Sequence, residues 1–522
     1  MPSTAPSPTD TAPDPTAPGK ERPPLRMRLA APLALAGGLI LDLAYPSVGW
    51  WPAAIIAASL GLVTLIGRSV PGALAVGLAF GAGFFPLHLV WVGEFLGPLP
   101  WVALAALQAV LFAAGAVPIA LAYRLFPPRR GGVVLLPLLV AGLWTLRELI
   151  MGTWPYTGFP WARIGLSQVD GPFAQVASWT GTGGLSFLVV ALCASAIEVM
   201  RARAPRRTLV PLAAGVALAL LPAFPTTPAG ELRMGWVQAN GPSAYFDERA
   251  AGDLLAAHFT ATDPLLDKDV DLLVWPEGAV DSDPLSRPAT AAVLDDVVGR
   301  AGAPLLANAA TQRGDDTYNT SLLWTGEGAP QLHDKANPVP FGEYVPDRWL
   351  YQAIAPDLIG LIQREYTPGA NPPVVTVGGV ELGLAICFDV IYDDVIRAGA
   401  LGGAEAYVFQ TNNADFRGTD ENLQQLAIAR MRAIEAGRAV ANISTTGTSQ
   451  IVAPDGTVLD GAAAGTTAAR VSEVPLRTGL TPAVVLGSWP TVLAAAGALV
   501  ALLLLGVTRR RAALRLDERN PS

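Results

Sequence analysis

The chain has 522 residues, 51% of them hydrophobic, and a mean hydropathy of +0.40, which excludes an ordinary single-domain soluble protein and favours a membrane protein. Its net charge of −8 is divided unevenly: residues 226–480 hold 16 Lys and Arg against 33 Asp and Glu, whereas the remainder is net basic. The acidic part is unlike a nucleic-acid-binding domain, and the two cysteines, Cys193 and Cys387, indicate no disulfide framework.

The first part of the chain predicts a tail followed by membrane helices. Residues 1–25 are rich in Pro, Thr, Ser and Ala and bury too little apolar surface to fold, so we expect a disordered tail. The apolar segments that follow predict eight transmembrane helices. They lie near residues 29–45, 51–67, 71–92, 101–123, 132–150, 177–199, 208–224 and 484–507.

Arginine clusters in every second connection predict the orientation of these helices. Cytoplasmic loops carry an excess of Lys and Arg, so the pattern places both termini in the cytoplasm and residues 226–480 on the extracytoplasmic side. We therefore expect a cytoplasmic tail (1–25), a seven-span domain (26–225), a globular domain (226–480), a last helix (481–508) and a basic tail (509–522). The arginines are Arg22, Arg26, Arg28, Arg68, Arg124, Arg129, Arg130, Arg201, Arg203, Arg206, Arg207, Arg509, Arg510 and Arg511.

Tryptophans collect at the predicted outer ends of the helices, as in an interfacial aromatic belt. They are Trp50, Trp51, Trp91, Trp101, Trp154 and Trp161. The Pro-rich aromatic stretch 154–172 has two interpretations, namely ordinary interfacial anchoring or part of a lipid-facing vestibule.

Residues 226–480 alternate between strand and helix patterns, which predicts a layered α/β domain. The predicted strands are 232–238, 270–275, 303–309, 380–386, 404–410, 439–444 and 448–453, and the predicted helices are 245–265, 289–300, 393–400 and 421–436. The apolar stretch 349–362 also has a helical pattern and is a candidate wall of an apolar vestibule, or else a packed core helix.

Cys387 is the candidate nucleophile, because it ends the alternating strand 380–386 at a turn into a helix. A thiol at such a turn is exposed at a sheet edge and can accept an acyl group. The alternative is a small buried hydrophobic residue, which is the usual fate of a free cysteine.

Two further motifs supply the groups that a reactive thiol needs. Glu277 follows Trp275-Pro276 at the end of a strand, where its carboxylate could act as a general base, and Lys335 precedes a proline-constrained segment that contains Glu343. Lys335 could stabilise an oxyanion, together with backbone N–H groups near Phe388, and lower the pKa of the thiol. Taken singly, either residue could be an ordinary surface charge.

The order of these motifs resembles the nitrilase superfamily, whose catalytic domain is an αββα sandwich with a Glu/Lys/Cys triad. The motifs are Trp275-Pro-Glu, His333-Asp-Lys-x-x-x-Val-Pro-Phe-Gly-Glu and Ile386-Cys-Phe-Asp. Combined with the membrane frame and Pro155-Tyr-Thr-Gly-Phe-Pro-Trp161, they resemble the bacterial apolipoprotein N-acyltransferase family. The resemblance implies a multi-pass enzyme of the bacterial cytoplasmic membrane.

The resemblance also implies the reaction, its partners and its site. An acyl chain passes from a phospholipid to a thioester on Cys387 and then, by ping-pong kinetics, to the α-amine of the diacylglyceryl-cysteine of an apolipoprotein, with no cofactor or metal. Glu277 is implied as base, Lys335 as oxyanion partner and Glu343 as a further carboxylate, with Phe388 and Asp389 as supporting residues. The chain departs from the family where Phe388-Asp389 replaces Tyr-Glu and Asp415 replaces a tryptophan.

Three other functions compete with acyl transfer. A membrane-tethered amidase would share the acylation step and resolve the thioester with water or ammonia. A thiol hydrolase would use His333 as the base in place of Glu277. A transporter or scaffold would carry ionisable residues along a pathway, but the predicted spans contain few of them, chiefly Asp42, Glu94, Arg147, Glu148 and Glu198.

Overall fold

The computed structural model describes residues 25–126, 132–203 and 209–519. Residues 1–24 of the predicted tail lie outside these ranges, as do Arg22, Arg129, Arg130, Arg206 and Arg207 of the arginine clusters.

A helix lies at each of the eight positions where the sequence predicts a membrane span. The N-terminal part contains α1 (Met27–Asp42), α2 (Pro52–Leu65), α3 (Val70–His88), α4 (Val92–Leu96), α5 (Pro98–Leu125), α6 (Gly132–Met151), α7 (Ala177–Arg201) and α8 (Leu209–Ala219). The chain ends in a 31-residue helix that begins at Trp489. Five of the described helices are long and apolar enough to cross a membrane, whereas α2 and α8 are apolar but shorter.

Small residues allow the N-terminal helices to approach closely. A Cβ atom at Gly38 of α1 would lie only 2.1 Å from the carbonyl oxygen of Phe80 in α3, so a larger residue cannot be accommodated there. Such glycine-mediated contact is typical of helix pairs in membranes, where burial of apolar surface from water does not drive association.

Residues 227–478 form two six-stranded sheets. The first has the order β12-β1-β2-β3-β4-β5 and the second the order β11-β10-β9-β8-β7-β6. The strands are β1 (Thr227–Gln238), β2 (Leu272–Val274), β3 (Leu305–Arg313), β4 (Asp316–Trp324), β5 (Gln331–Asp334), β6 (Val374–Val377), β7 (Val380–Ile386), β8 (Ala406–Thr411), β9 (Ala439–Ser444), β10 (Ser449–Val452), β11 (Val458–Ala462) and β12 (Ala468–Thr478). The helices are α9 (Asp253–Thr262), α10 (Pro288–Ala301), α11 (Arg348–Ile354), α12 (Pro356–Ile359), α13 (Asp393–Leu401), α14 (Glu421–Ala436), α15 (Pro482–Leu486) and α16 (Trp489–Arg519).

The two sheets pack face to face, and helices cover both outer faces. One buried cluster joins the inner faces, with Met234 and Val274 from the first sheet and Leu384 and Val408 from the second. A second cluster lies between the first sheet and α9 and α10. The result is the αββα sandwich that the resemblance implies.

The outer face of the second sheet is covered by α13 and α14, and these helices share one continuous core with the membrane helices. Tyr407 and Phe409 of β8 belong to the same buried cluster as residues of α1 to α7. At this boundary Asp393 accepts hydrogen bonds from Arg163 at 2.7 Å and forms an ion pair with Arg432 at 2.8 Å. The sandwich is therefore fixed to the membrane helices through the layer that carries α14.

Two of the tryptophans expected in an interfacial belt lie at this boundary instead. Trp91 and Trp161 are buried, and both indole N–H groups donate to Oε1 of Gln424 in α14, at 3.2 and 2.7 Å. By contrast, Trp50 and Trp154 are exposed. The aromatic stretch 154–172 thus contacts the sandwich.

The structure corrects two predicted helices of the globular domain. The helix predicted over 245–265 begins only at Asp253, because Asp247 and Asp253 accept hydrogen bonds from the backbone N–H groups of Ala244 and Ala250 and hold turns in place of helix. The helix predicted over 349–362 is broken into α11 and α12 at Ala355, which precedes Pro356 and so disfavours helical geometry.

Candidate active site

Cys387 lies where the strand β7 ends and a 3-10 turn, Cys387–Ile391, begins. Its φ angle is +48°, a backbone conformation that residues with a side chain rarely adopt. Phe388 and Asp389, the next two residues of the turn, are buried, whereas Cys387 is partly exposed. The turn thus presents the thiol at the carboxyl end of the second sheet, as the sequence predicts.

Glu277 follows the strand β2 in the first sheet, and the structure holds both its backbone and its carboxylate. Asn319 Nδ2 donates to Glu277 Oε1 at 2.8 Å, and Thr445 Oγ1 donates to the backbone carbonyl of Glu277 at 2.7 Å. The residue is 8% exposed. It is therefore a buried, oriented carboxylate rather than a solvated loop glutamate.

Lys335 follows β5 and is buried between two carboxylates. Its Nζ lies 3.4 Å from Glu277 Oε1 and 2.9 Å from Glu343 Oε2. Glu343 is itself held by the backbone N–H of Val339 at 2.7 Å. The three residues form a charged cluster in which one ammonium faces two carboxylates, so Lys335 is not a surface lysine.

The electrostatics of this cluster follow from burial and from its own charges. Burial raises the pKa of Glu277, although Lys335 opposes the shift. Burial would lower the pKa of Lys335, but Glu277 and Glu343 outweigh it and the pKa is raised well above its ordinary value. The lysine stays protonated, and the glutamate becomes a stronger base than an exposed one.

The sequence predicts that Lys335 lowers the pKa of the Cys387 thiol, but in the structure this pKa is raised. Lys335 does act to lower it, but burial and the charge of Glu277 outweigh that effect, and the pKa is raised well above the ordinary value of a thiol. The resting sulfur is thus a neutral thiol, so a nucleophilic role for Cys387 would require a base to remove its proton.

Phe388 and Asp389 join the turn that begins at Cys387 to two different parts of the molecule. The Phe388 ring packs against Phe159 and Trp161, with centroids 6.0 and 6.5 Å away. Asp389 accepts hydrogen bonds from the backbone N–H groups of Ala336 and Asn337, at 3.2 and 2.8 Å. One residue therefore contacts the membrane domain, and the next fixes the segment that follows Lys335.

Three residues near Cys387 were missed by the sequence analysis. Gln425 Nε2 donates to Cys387 Sγ at 3.4 Å, and Asn413 Nδ2 donates both to Gln425 Oε1 at 2.9 Å and to Glu421 Oε2 at 2.8 Å. Burial raises the pKa of Glu421 to about 8. Gln425 and Cys387 are 38 residues apart. The signal in the sequence is a run of polar residues, Glu421, Asn422, Gln424 and Gln425, at the start of a predicted helix.

The other candidates lie apart from this chemistry. His333 is buried, burial lowers its pKa, and in the described part of the chain it makes no hydrogen bond to Cys387. Asp415, which stands where a tryptophan was expected, accepts a hydrogen bond from the backbone N–H of Tyr245 at 2.8 Å. Within residues 25–126, 132–203 and 209–519, no group of His, Cys, Asp and Glu is arranged to hold a metal ion.

An αββα sandwich with a buried glutamate, a lysine and a thiol at its sheet edges defines a carbon–nitrogen hydrolase domain, here attached to membrane helices. Residues 237–479 match the family model for carbon-nitrogen hydrolase. Residues 37–195 match the model for the apolipoprotein N-acyltransferase N-terminal domain.

Relatives similar to the chain extend over most of its length. An apolipoprotein N-acyltransferase of Mycolicibacterium smegmatis is 31% identical over 503 residues, covering 87% of this chain and 81% of the relative. One of Azotobacter vinelandii is 31% identical over 516 residues, covering 92% and 95%. The chain belongs to the apolipoprotein N-acyltransferase family.

Solved structures similar to the chain match about half of it. Nit3 of Saccharomyces cerevisiae, a member of the nitrilase superfamily, is 17% identical with a TM-score of 0.38 and covers 48% of this chain and 91% of its own. An amidase from Nesterenkonia sp. is 18% identical with a TM-score of 0.35 and covers 48% and 92%.

Proposed function

We propose that this N-acyltransferase takes an acyl chain from a membrane phospholipid, holds it as a thioester on Cys387 and delivers it to the α-amine of the diacylglyceryl-cysteine of an apolipoprotein. Family membership makes lipoprotein N-acylation the activity of the chain. The phospholipid donor, the thioester and the residue roles are what we add. The observation that carries them is the partly exposed Cys387 at a strained turn, within electrostatic reach of the buried Glu277 and Lys335 and the half-buried Glu343.

In the first half-reaction the thiol of Cys387 attacks the ester carbonyl of the donor. As the sulfur–carbon bond forms, the thiol proton passes to Glu277, and the carbonyl oxygen becomes an oxyanion that faces Lys335 and a backbone N–H near Phe388. When the carbonyl re-forms, the ester carbon–oxygen bond breaks. The leaving lyso-phospholipid oxygen takes the proton from Glu277, and the acyl group remains as a thioester.

In the second half-reaction the α-amine of the apolipoprotein attacks the thioester. Glu277 accepts a proton from the amine, the nitrogen–carbon bond forms, and the carbon–sulfur bond breaks. The leaving thiolate regains its proton from Glu277, so the enzyme returns to its starting state. The first product leaves before the second substrate enters, which gives ping-pong kinetics.

The thioester must be kept from water between the first half-reaction and the second. The stretch 349–362 supports this, because its Ile359 and Ile362 form a buried cluster with Val345 that packs against Leu96 of the membrane domain. On its outer side Trp349 and Ile354 are 75% and 68% exposed. We propose this segment as the wall of an apolar vestibule, with its exposed side chains toward lipid.

The test is to incubate the purified full-length enzyme with a phospholipid labelled in its acyl chain, without apolipoprotein. We expect a stoichiometric burst of lyso-phospholipid, with hydroxylamine-labile label on Cys387 that is released on adding a diacylglyceryl-peptide with a free α-amine. In a Cys387→Ser variant the burst should be much slower than in the wild type, because an alcohol is a weaker nucleophile than a thiol. Continuous release of free fatty acid would show a hydrolase and overturn the proposal.

We further propose the arrangement of the chain in the cytoplasmic membrane. Eight spans place both termini in the cytoplasm and the catalytic domain, residues 226–480, on the extracytoplasmic side, between the seven-span domain (26–225) and the last helix (481–508). The alternating arginine clusters support this orientation. An exported reporter fused after residue 300 should be active, and one fused after residue 205 inactive; the opposite pattern would overturn the topology.

A further inference from the structure

A buried chain of hydrogen bonds reaches the sulfur of Cys387 from α14 and the loop after β8, separately from the charged cluster of the first sheet. Gln425 donates to Sγ, and Asn413 donates to Gln425 and to Glu421. All three of these side chains are less than one-twentieth exposed. Burying so many polar groups is costly unless each is paired, so the arrangement specifies one geometry.

The orientation of Asn413 is fixed on its other side. Ser444 Oγ donates to Asn413 Oδ1 at 2.7 Å, which leaves both Nδ2 hydrogens for Gln425 and Glu421. Gly447 is required here, because a Cβ at that position would lie 2.3 Å from Asn413 Oδ1. With its oxygen held by Asn413, the Gln425 amide can only turn its N–H group toward Cys387.

We propose that Gln425, oriented by Asn413 and Glu421, is a positioning residue that holds the Cys387 sulfur for attack and stabilises the thiolate as the proton leaves. This rests on the proposed role of Cys387 as nucleophile. An amide N–H bonds a thiolate more strongly than a thiol, because a hydrogen bond to a charged acceptor is stronger. The donor therefore favours the state that attacks over the resting state.

The test measures the pH dependence of Cys387 alkylation by iodoacetamide in the full-length protein in detergent, in a Cys193→Ala background. Gln425→Met removes the donor, and we expect the alkylation profile to move up by about one pH unit, the size of one charge-assisted hydrogen bond. Gln425→Glu keeps the shape but places a carboxylate beside the sulfur, so it should move the profile further. Acyl-enzyme formation should slow about tenfold in Gln425→Met.

A coupling measurement separates positioning from a general structural effect. Asn413→Leu removes the donor to Gln425 without adding a charge and should move the profile in the same direction, but it should have no further effect in the Gln425→Met background. Gln331→Met is the matched control, since Gln331 is an exposed glutamine that bonds the backbone of Thr376 away from the site, and we expect no shift.

An unchanged profile in both Gln425 variants, or additive effects of Asn413→Leu and Gln425→Met, would overturn the proposal. Gln425→Glu is nearly isosteric and keeps the test open if Gln425→Met does not fold, which thermal unfolding shows. Alkylation does not depend on acyl transfer. A shifted profile in an enzyme that forms no acyl-enzyme would therefore refute the proposed function and leave the positioning role intact.

Discussion

The two halves of the sandwich are covered in different ways. The first sheet is covered by α9 and α10, whose outer charges lie in solvent: Arg300, 43% exposed, pairs with Asp263 and Asp296 at 3.1 and 3.5 Å. The second sheet is covered by α13 and α14, where Arg432, 1% exposed, pairs with Asp393 and Glu435 and donates to the carbonyls of Val390 and Ile391. The paired arginine is therefore solvated on one face and buried on the other.

The groups of the site are divided between these halves. Glu277 and Lys335 come from strand ends of the first sheet, while Cys387 and Gln425 come from the second sheet and α14. The sulfur thus belongs to the half that shares one buried core with the membrane helices, and Glu277 belongs to the other half. The site depends on how the two sheets pack on each other as much as on any single motif.

The largest effect should follow from removing the carboxylate of Glu277, the proposed base. Glu277→Gln keeps the shape and lets Asn319 still donate to an oxygen, but an amide cannot accept the thiol proton. We expect acyl-enzyme formation to fall by about 10²-fold or more, measured as the burst of lyso-phospholipid. Glu327→Gln, on an exposed turn, is the control. Full activity in Glu277→Gln, with loss in His333→Ala, would assign the base to His333.

The next effect should distinguish the two outer faces. Arg432→Gln leaves Glu435, Asp393 and two carbonyls short of partners at a buried position, so we expect the free energy of unfolding to fall by about 3–5 kcal/mol. Arg300→Gln should change it by less than about 1 kcal/mol, because its partners are solvated. Thermal unfolding in detergent measures both. Equal losses would show that the two faces do not differ in this way.

A third effect should appear as a change in pH dependence. The pKa of Glu421 is about 8, above the ordinary value near 4.3, so ionising the buried carboxyl opposes folding. Its contribution to stability is fully present below about pH 4.3 and falls as pH rises toward about 8. Glu421→Gln cannot ionise, so its melting temperature should decline less than that of the wild type between pH 5 and 8. Parallel curves would mean that the carboxyl is not protonated in the folded state.

The sequence predicts local structure well where one periodicity dominates. The strand Val380–Ile386 and the helix Glu421–Ala436 have the predicted bounds, and Glu277, Lys335 and Cys387 were all found at strand ends, where polar residues follow apolar runs. The αββα class came from the resemblance carried by these motifs.

What the sequence could not show depends on contacts between distant segments. Nothing near Gln425 indicates that its neighbour in space is Cys387, and nothing near Trp161 indicates that its indole N–H meets Gln424, 263 residues away. The raised pKa of Cys387 was also missed, because it reflects burial that only the packed domain creates. The spacing of residues along the sequence shows which side chains could form the site, but it does not show how deeply each side chain is buried.

Two adjacent glutamines in α14 have a consequence for anyone who wishes to work with the catalytic part alone. Gln424 accepts hydrogen bonds from Trp91 and Trp161, and Gln425 donates to Cys387. A soluble fragment cut to residues 226–480 would lose both tryptophans, as well as the aromatic surface under Phe388. In such a fragment the residues next to Cys387 would lack these contacts, so inhibitors selected against it would bind a site of altered shape. Screening should therefore use the intact protein in a lipid environment.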